Sequence, residues 1–589
     1  MKKKLALMLA ILLVLTLFAA CGDKSGTPAT TTTVVPASTD AVPDEISPSP
    51  SESVETVEHS QYGFAVDANG IATEPYIYEL PLTTSDDVLS YWFTVWTPQY
   101  LPESDFADTA LPQEALARTG VSVEYVMVPS TNRPEAFSVL LAADDLCDMM
   151  CNALSYYPGT QLEMVEDGFF VNIYDYREFM PNYLYQTTYL NPSDIDTHSS
   201  VFYYEDFIPA AHCLNVKSGE MIGGFCFRQD WLDKVDLNAD DIVTWDDLYN
   251  ALSLVKSAVD TCEYPLWLSQ TLEMTKYWQF QSFGSLSAIP STMLPPVYLK
   301  DGVVQLGCTT AEDKALMEKL NEFYNAGLIN PDWTSYALPA DFTASTYNNE
   351  IAYQYHGATG LADAKKSSVD PDCNWQPTQK PLLYEGQILH VGSSKSRVGT
   401  GNCSFAAKNN NLELAMKWID YRYSPEGWEL YCYGPEGVVC YIDENGERRN
   451  TEWALNHPDG FELTWLVFLY SLDAFVDPGI VATETKLLND SGEIANKTIS
   501  YWTDWLSTNY DASGVFPIGA RLSIEQSETI SRYQTDIITY ISENFSGFLD
   551  GSKSFDDWDE YVETLNIMGL QAITDTYQDA YEEYLERIA

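Results

Sequence analysis

Basic residues are scarce in this 589-residue sequence: 31 Lys and Arg stand against 86 Asp and Glu, a formal charge of −55. Such a chain is a poor partner for nucleic acid or an anionic membrane surface, because phosphates are held by clustered Lys and Arg. The same sign disfavours a polyanionic solute. Histidine is almost absent, at six residues. No HExxH, no His/Cys cluster at zinc spacing, no GxSxG and no P-loop occurs, so neither a catalytic metal nor a cofactor is expected. The eleven cysteines include no CxxC and no dense framework, so no disulfide connectivity can be read from them. Cys432 and Cys440 are the most plausible local disulfide pair, and Cys147 with Cys151 offers a metal half-site or redox pair. Buried thiols throughout are the simpler expectation. Beyond the first 20 residues no apolar run reaches the roughly 20 residues that span a bilayer, and no repeat of 20 to 50 residues is visible.

What is present begins with a leader. Lys2, Lys3 and Lys4 precede an apolar stretch over 5–18 broken only by Thr16, and Ala19-Ala20 follow. This reads as a signal peptide over 1–20. Phe18-Ala19-Ala20-Cys21 resembles a bacterial lipobox, in which the cysteine is acylated (palmitate-type chains) and becomes the new N-terminus. Two acyl chains suffice for stable anchoring. Residues 21–60 are Ser, Thr, Pro, Ala and acids, including Thr30-Thr31-Thr32-Thr33 and Ser47-Pro48-Ser49-Pro50. Nothing there can bury a core, so a disordered spacer is expected.

The remaining stretch of roughly 530 residues is long enough for two or more domains. Residues 88–96 form a β-rich run closed by Thr97-Pro98, 121–128 alternate in the same way, and a helical segment between them ends near Gly120. Strand, helix, strand predicts a parallel α/β architecture. Thr244 with Asp247 and Thr310 with Asp313 have capping-box spacing, and Gly327 sits where the second of these helices should stop. Leu412, Met416, Ile419 and Tyr423 make an apolar stripe. Ser424-Pro425 predicts a further helix start, and Ser554 with Asp557 predicts a cap for a helix carrying Trp558, Tyr561, Val562 and Leu565 and stopped at Gly569. Aromatic residues make up 13%, with 15 Trp and 39 Tyr. Beyond the core, that supply suits a neutral ligand that stacks on rings, such as carbohydrate.

Several collinear segments carry a family resemblance. They are Thr119-Gly120-Val121 leading to Leu140-Leu141-Ala142-Ala143-Asp144-Asp145-Leu146-Cys147-Asp148; Asp167-Gly168 on to Pro181-Asn182-Tyr183; Phe227-Arg228-Gln229-Asp230-Trp231-Leu232-Asp233-Lys234 followed by Thr244-Trp245-Asp246-Asp247-Leu248; and Tyr324-Asn325-Ala326-Gly327-Leu328-Ile329-Asn330-Pro331. Ser424-Pro425-Glu426-Gly427 to Tyr433-Gly434-Pro435-Glu436-Gly437, and the tail from Trp558 to Tyr581, complete the set. Over about 85% of the chain this resembles the extracellular solute-binding proteins of ABC importers, family 1, in their sugar-binding lipoprotein branch. The resemblance implies a two-lobe periplasmic-binding-protein-like fold of type II with crossover strands and a helix-rich second lobe. It implies a first lobe from 61–225 and 396–460 and a second from 226–395 and 461–589. It further implies a monomer that captures an oligosaccharide or other small neutral solute, hands it to ABC permease subunits, and works at the extracellular face of the cytoplasmic membrane. Some relatives carry a calcium loop after the equivalent of Asp247. Here Val259-Asp260-Thr261-Cys262-Glu263-Tyr264-Pro265 lacks the spaced oxygen ligands, so no calcium is expected.

Two-lobe binders close about a hinge, and ligands of open α/β sheets lie beyond the carboxyl ends of the strands. That rule selects loops. Trp96 ends the first strand. Asn152, Ser155, Tyr156 and Tyr157 follow Asp148, and the two tyrosines before Pro158-Gly159 are expected to be exposed. Arg228 either reaches the ligand or pairs with Asp230, and Trp231 is expected to pack. Tyr355, His356 and Thr359 flank Gly357 and Gly360 at a strand end of the second lobe. Trp278 and Phe283 are further stacking candidates. No nucleophile accompanies His356, and no catalytic residue is assigned. The competing class is a lipid-anchored surface glycoside hydrolase, which needs two carboxylates about 5 or 6.5–9.5 Å apart; among 86 acids, nearness in sequence cannot identify such a pair.

Overall fold

A computed structural model of the chain describes residues 58–588, apart from 96–97, 104, 130–131, 218–222, 269–280, 285–293, 336–343, 393–395, 462, 472–475 and 483–489. The leader, Cys21 and nearly all of the spacer lie outside the described residues, as do Trp96 and Trp278.

Nine strands frame the molecule: β1 (Val88–Val95), β2 (Ser122–Pro129), β3 (Met149–Cys151), β4 (Ala211–Asn215), β5 (Gly223–Arg228), β6 (Tyr353–Gly357), β7 (Trp375–Pro377), β8 (Val398–Phe405) and β9 (Gly479–Val481). β1 runs parallel to β2 and to β3. Parallel neighbours need a crossover, supplied by the helices Ala110–Thr119 and Arg133–Ala143. The first turns into β2 at Gly120, a left-handed residue (φ 71°) whose missing Cβ would lie 2.4 Å from the Thr83 carbonyl oxygen. Leu89, Tyr91, Phe93 and Val95 face one core, while Trp92 faces another with Phe137, Met150 and Phe170. A strand largely buried on both faces belongs in the middle of a covered parallel sheet, and β1 lies between β2 and β3.

The first sheet has the order β2-β1-β3-β8-β4-β9, with β8 antiparallel to β3 and β4. The second has β6-β5-β7, with β5 antiparallel to both neighbours. Parallel bridges from Leu266 to Tyr353 and to Ile329 extend it past β6. The two sheets thus share one plan, in which three parallel segments are followed by an antiparallel strand and then a fourth parallel one. In each sheet the antiparallel strand comes from the other side: β5 follows β4 of the first sheet, and β8 follows β7 of the second. The chain therefore crosses between two α/β lobes, and each lobe is completed by a strand that its partner precedes.

Two further segments join these lobes. Gly479–Val481, inside the segment expected to lie wholly in the second lobe, pairs in parallel with β4 of the first. A three-residue edge strand opened by glycine gives no periodic signal. The chain next enters the helix Asp490–Asn509, whose Trp502 lies on Gly224 of β5, 2.5 Å from where a Cβ would stand. The C-terminal helices Ile524–Asp550, Trp558–Met568 and Leu570–Ile588 pack into the second lobe's core, where Ile537, Phe548, Trp558 and Tyr561 join Trp231, Trp245, Leu252, Leu316, Leu320 and Phe323.

Both capping boxes form: Thr244 and Asp247 cap Trp245–Ala258, and Thr310 and Asp313 cap Ala311–Asn325. Two expected starts shift. Ser424 donates to the Tyr421 carbonyl (2.9 Å) and accepts from the Gly427 N–H (3.1 Å), so it holds a turn and the helix begins at Trp428. Ser554 accepts from the Asp556 N–H in a short 3-10 turn, and the α-helix starts at Trp558 and ends at Gly569 (φ 113°). The ten described cysteines are thiols, nine of them buried. Cys432 accepts from the Ala482 N–H while Cys440 donates to the Tyr433 carbonyl, so these two are held by backbone rather than bridged. Among the described residues no helix is long and apolar enough to cross a membrane.

Candidate ligand cleft

The carboxyl end of β3 meets the second half of β8. Cys151, the last residue of β3, pairs with Cys403, and Asn152 comes next. Asn152 takes the left-handed conformation (φ 54°) that asparagine tolerates better than most residues. Its N–H donates to the Asn402 carbonyl (2.7 Å), and its Oδ1 accepts from the Asn402 N–H (3.2 Å) and Nδ2 (3.1 Å). Across β8, Asn402 pairs with His212 of β4, which puts both side chains on one face. The His212 Nδ1 lies 2.9 Å from the Tyr183 hydroxyl. Burial, together with the charge of Arg521, pushes the His212 pKa down to about 3, so the ring is neutral at physiological pH.

Arg521 reaches this point from the other lobe. It precedes the helix Ile524–Asp550, yet its Nη2 donates to the carbonyls of Ser200 (2.7 Å) and Ser199 (3.1 Å) in the first lobe. Its Nη1 lies 3.5 Å from Gln161 Oε1, and the guanidinium sits 4.9 Å from the Tyr203 ring centroid. Burial, with Arg587 nearby, pushes its pKa down to about 10 against the pull of Tyr203. Arg587 adds bonds to the Tyr203 carbonyl (3.3 Å) and to that of Gly519. The seam is therefore lined by amides, a neutral imidazole, hydroxyls and two arginines that meet carbonyls.

Of the residues singled out in the sequence, Asn152 is buried at this seam and Ser155 is exposed three residues on. Tyr156 and Tyr157, expected to be exposed, are half-buried. Tyr156 meets Trp92 edge-on at 6.2 Å with the Arg133 guanidinium 5.5 Å from its ring, and Arg133 Nη1 donates to Thr94 Oγ1 (3.3 Å) near the end of β1. Tyr157 packs on Phe169 (6.2 Å) and its hydroxyl donates to Asp167. The Tyr157 hydroxyl is thus taken up by the turn that holds it.

In the second lobe, Tyr355 and His356 lie opposite Phe225 and Gly224, at the end where β5 arrives from the first lobe. Tyr355 is buried, edge-on to Phe225 at 5.5 Å and close over Gly223. His356 is half-buried, with Nδ1 3.0 Å from the Gly357 carbonyl oxygen. Thr359 lies in the helix Ala358–Ser367, but its side chain is outside the described residues. Phe283 packs edge-on against Trp245 at 5.5 Å. Arg228 takes the pairing role. It is fully buried, its Nε and Nη2 donate to Asp230 (2.8 and 2.6 Å), Nη2 also reaches Asp370 (3.3 Å), and Nη1 donates to Asn349. Trp231 stacks beneath it at 4.3 Å, packed as expected.

The sequence reading missed Asn402, His212, Arg521, Arg133 and Thr94. None carries a local signal, since each matters only through a partner tens to hundreds of residues away. Among the described residues no group of three or more His, Cys, Asp or Glu is gathered to hold a metal ion.

The sequence matches no protein-family model and no curated protein. Solved structures do match. A human-milk-oligosaccharide (HMO) binding, ABC-transporter-associated solute-binding protein from Bifidobacterium longum infantis superposes with a TM-score of 0.67 at 17% identity, covering 84% of this chain and 99% of that one. The fold is that of a two-lobe extracellular solute-binding protein. The S. pneumoniae ABC-transporter substrate-binding protein FusA, in complex with kestose, gives 0.60 at 16% identity over 85% of this chain and 100% of that one. An alginate-binding protein without calcium ion gives 0.60 at 18% over 86% and 100%. With that fold, the exchange of β5 and β8 is the crossover of a type II solute-binding fold, and the seam at Asn152, Asn402, His212 and Arg521 lies where its lobes meet.

Proposed function

We propose that this chain is a lipid-anchored extracellular solute-binding protein that closes two lobes on a neutral solute, most simply an oligosaccharide, and delivers it to ABC permease subunits. The observation that carries the reading is the reciprocal strand exchange between two lobes in a fold shared with HMO- and kestose-binding proteins. The first lobe runs from the start of the body to about 215 and resumes from β8 through β9; the second takes the intervening segment and the C-terminal helices. Ligand contacts to both lobes stabilise the closed state, and closure removes water so that hydrogen bonds to hydroxyls count for more. The amides, hydroxyls and neutral imidazole at the seam suit a neutral solute, and its two arginines already meet carbonyl oxygens. Asn152, Ser155, Tyr156, Tyr157, His356 and the unplaced rings Trp96 and Trp278 are the contacts to test first.

Cys21 gives the anchor its place in the mechanism, because a captor tethered by two acyl chains stays beside its permease. Replacing Cys21 by Ser should release the protein into the medium with solute affinity intact and uptake impaired.

The deciding experiment is a thermal-shift and calorimetric screen of the mature chain against neutral oligosaccharides and peptides. A ligand at 100 times its Kd adds about 2.7 kcal/mol of stability. Stabilisation by peptides alone removes the carbohydrate assignment. Consumption of the glycan moves the assignment to a lipid-anchored glycoside hydrolase.

A further inference from the structure

A second concave surface lies wholly within the first lobe. It is a groove of about 440 Å³ lined by Pro102, Asp108, Thr109 and Ala110 on one side and by Gly437, Val438, Trp453 and Tyr470 on the other. The first wall belongs to the loop that follows β1 and to the start of the helix Ala110–Thr119; the second comes from the segment between β8 and β9. Among the described residues that line it, all belong to the first lobe, so its walls do not depend on lobe closure for their assembly.

Its aromatic wall is held from behind. Trp453 is 38% exposed, high for a tryptophan fixed in a folded segment. Its ring is braced edge-on by His457 (4.6 Å) and by Tyr470 (5.5 Å). His457 stacks on Phe461 (4.3 Å, 9°), and Phe461 stacks on Tyr100 (3.8 Å, 9°), which ties the platform to the loop after β1. A ring braced in this way is pre-organised, so little rotamer freedom is lost when a ligand lies on it. Opposite stands the exposed carboxylate of Asp108. At the N-cap, Thr109 spends its hydroxyl on the Phe106 carbonyl (2.8 Å) and makes no side-chain bond to the helix, leaving the first turn at Ala110 facing the groove without a cap. Among the described residues that line the groove there is no Lys or Arg.

We infer that this groove is a second carbohydrate subsite, which takes a neutral sugar ring of a glycan too long for the interlobe cleft alone. The CH face of the sugar lies on Trp453, and its hydroxyls donate to Asp108 in charge-assisted bonds. The volume is in the range of small-ligand pockets. An anionic sugar is repelled by the Asp108 carboxylate. The inference rests on the carbohydrate reading above and assigns a length preference to it: the cleft binds the solute, and the groove adds affinity only for longer chains.

The test uses the mature chain with Trp453→Ala and Asp108→Ala, each checked for an unchanged unfolding midpoint. Calorimetric titrations compare maltose with maltohexaose, lactose with lacto-N-hexaose, and kestose with a fructo-hexaose. For whichever pair binds, the long member should bind about tenfold tighter than the short. Trp453→Ala should erase that advantage and leave the short member unchanged, with Asp108→Ala acting in the same direction by less. Equal affinity for long and short glycans overturns the subsite and leaves the cleft reading standing, as does a Trp453→Ala protein that keeps the length preference or loses both members alike. If no glycan of any length binds, the carbohydrate reading and the subsite fall together.

Discussion

Two arginines, one buried and one half-buried, hold this molecule in opposite ways. Arg228, inside the second lobe, is neutralised by Asp230 and Asp370 and sandwiched between Trp231 and Trp375. Arg521, at the seam between lobes, meets carbonyl oxygens of Ser199 and Ser200 and the Tyr203 ring. A guanidinium closed by carboxylates is a brace, because losing it strands two charges. A guanidinium held by carbonyls can let go, since water can replace it on both sides. The first arrangement suits a core that never opens, and the second suits a hinge that must.

The largest effect is therefore expected from Arg228→Met, which leaves Asp230 and Asp370 facing each other without a cation. Urea unfolding should show a loss of about 3–5 kcal/mol. Arg521→Met should cost less, about 2 kcal/mol, but should change the lobe angle, read as a larger radius of gyration in small-angle scattering of the ligand-free protein. An equal stability loss in both variants, with no change in scattering, would erase the contrast between brace and latch.

The seam also carries a pH signature. His212 has a folded pKa of about 3 against an ordinary value near 6.5. The unfolded chain binds the extra proton first, so this contribution to stability is present above about pH 6.5 and is lost as pH falls toward 3. From pH 7 to pH 5 that is about 2 kcal/mol. Asp420 acts the other way. Burial lifts its pKa to about 6 despite bonds from the Tyr183 and Asn182 backbone and the Tyr78 hydroxyl, so its contribution is lost as pH rises through 6. The stability difference between the wild type and His212→Gln should accordingly shrink by about 2 kcal/mol on going from pH 7 to pH 5, measured by parallel urea titrations. The smallest stability effect is expected from Ser155→Ala at the exposed rim, within about 0.5 kcal/mol; its readout is solute affinity.

Local spacing carried much of the fold. Thr244-Trp245-Asp246-Asp247 and Thr310-Ala311-Glu312-Asp313 become capping boxes because each needs only four consecutive residues. The run over 88–96 reads as a buried strand because it is rich in β-branched and aromatic residues, and residues 88–95 form β1. Ser424-Pro425 forms a turn instead, because the Ser424 hydroxyl bridges the Tyr421 carbonyl and the Gly427 N–H and the helix begins only at Trp428. The candidate site was less legible. Arg228 beside Asp230 was visible as a pair two residues apart, but Asn402 beside Asn152 is a contact across 250 positions, and no pattern in either segment announces it.

By itself, then, the chain determined its acidity, its parallel α/β character and the caps and stops of its longer helices, because those depend on composition or on side chains within a few residues of one another. Only the tertiary structure decided that β5 and β8 exchange between lobes, that Arg228 is a brace while Arg521 spans the seam, and that Trp453 stands over Asp108 in a groove. Each of these joins residues separated by about a hundred positions or more, except the Arg228–Asp230 pair, whose burial, stacking on Trp375 and link to Asp370 again come from afar. Such contacts exist only once chain crossings have brought distant segments together.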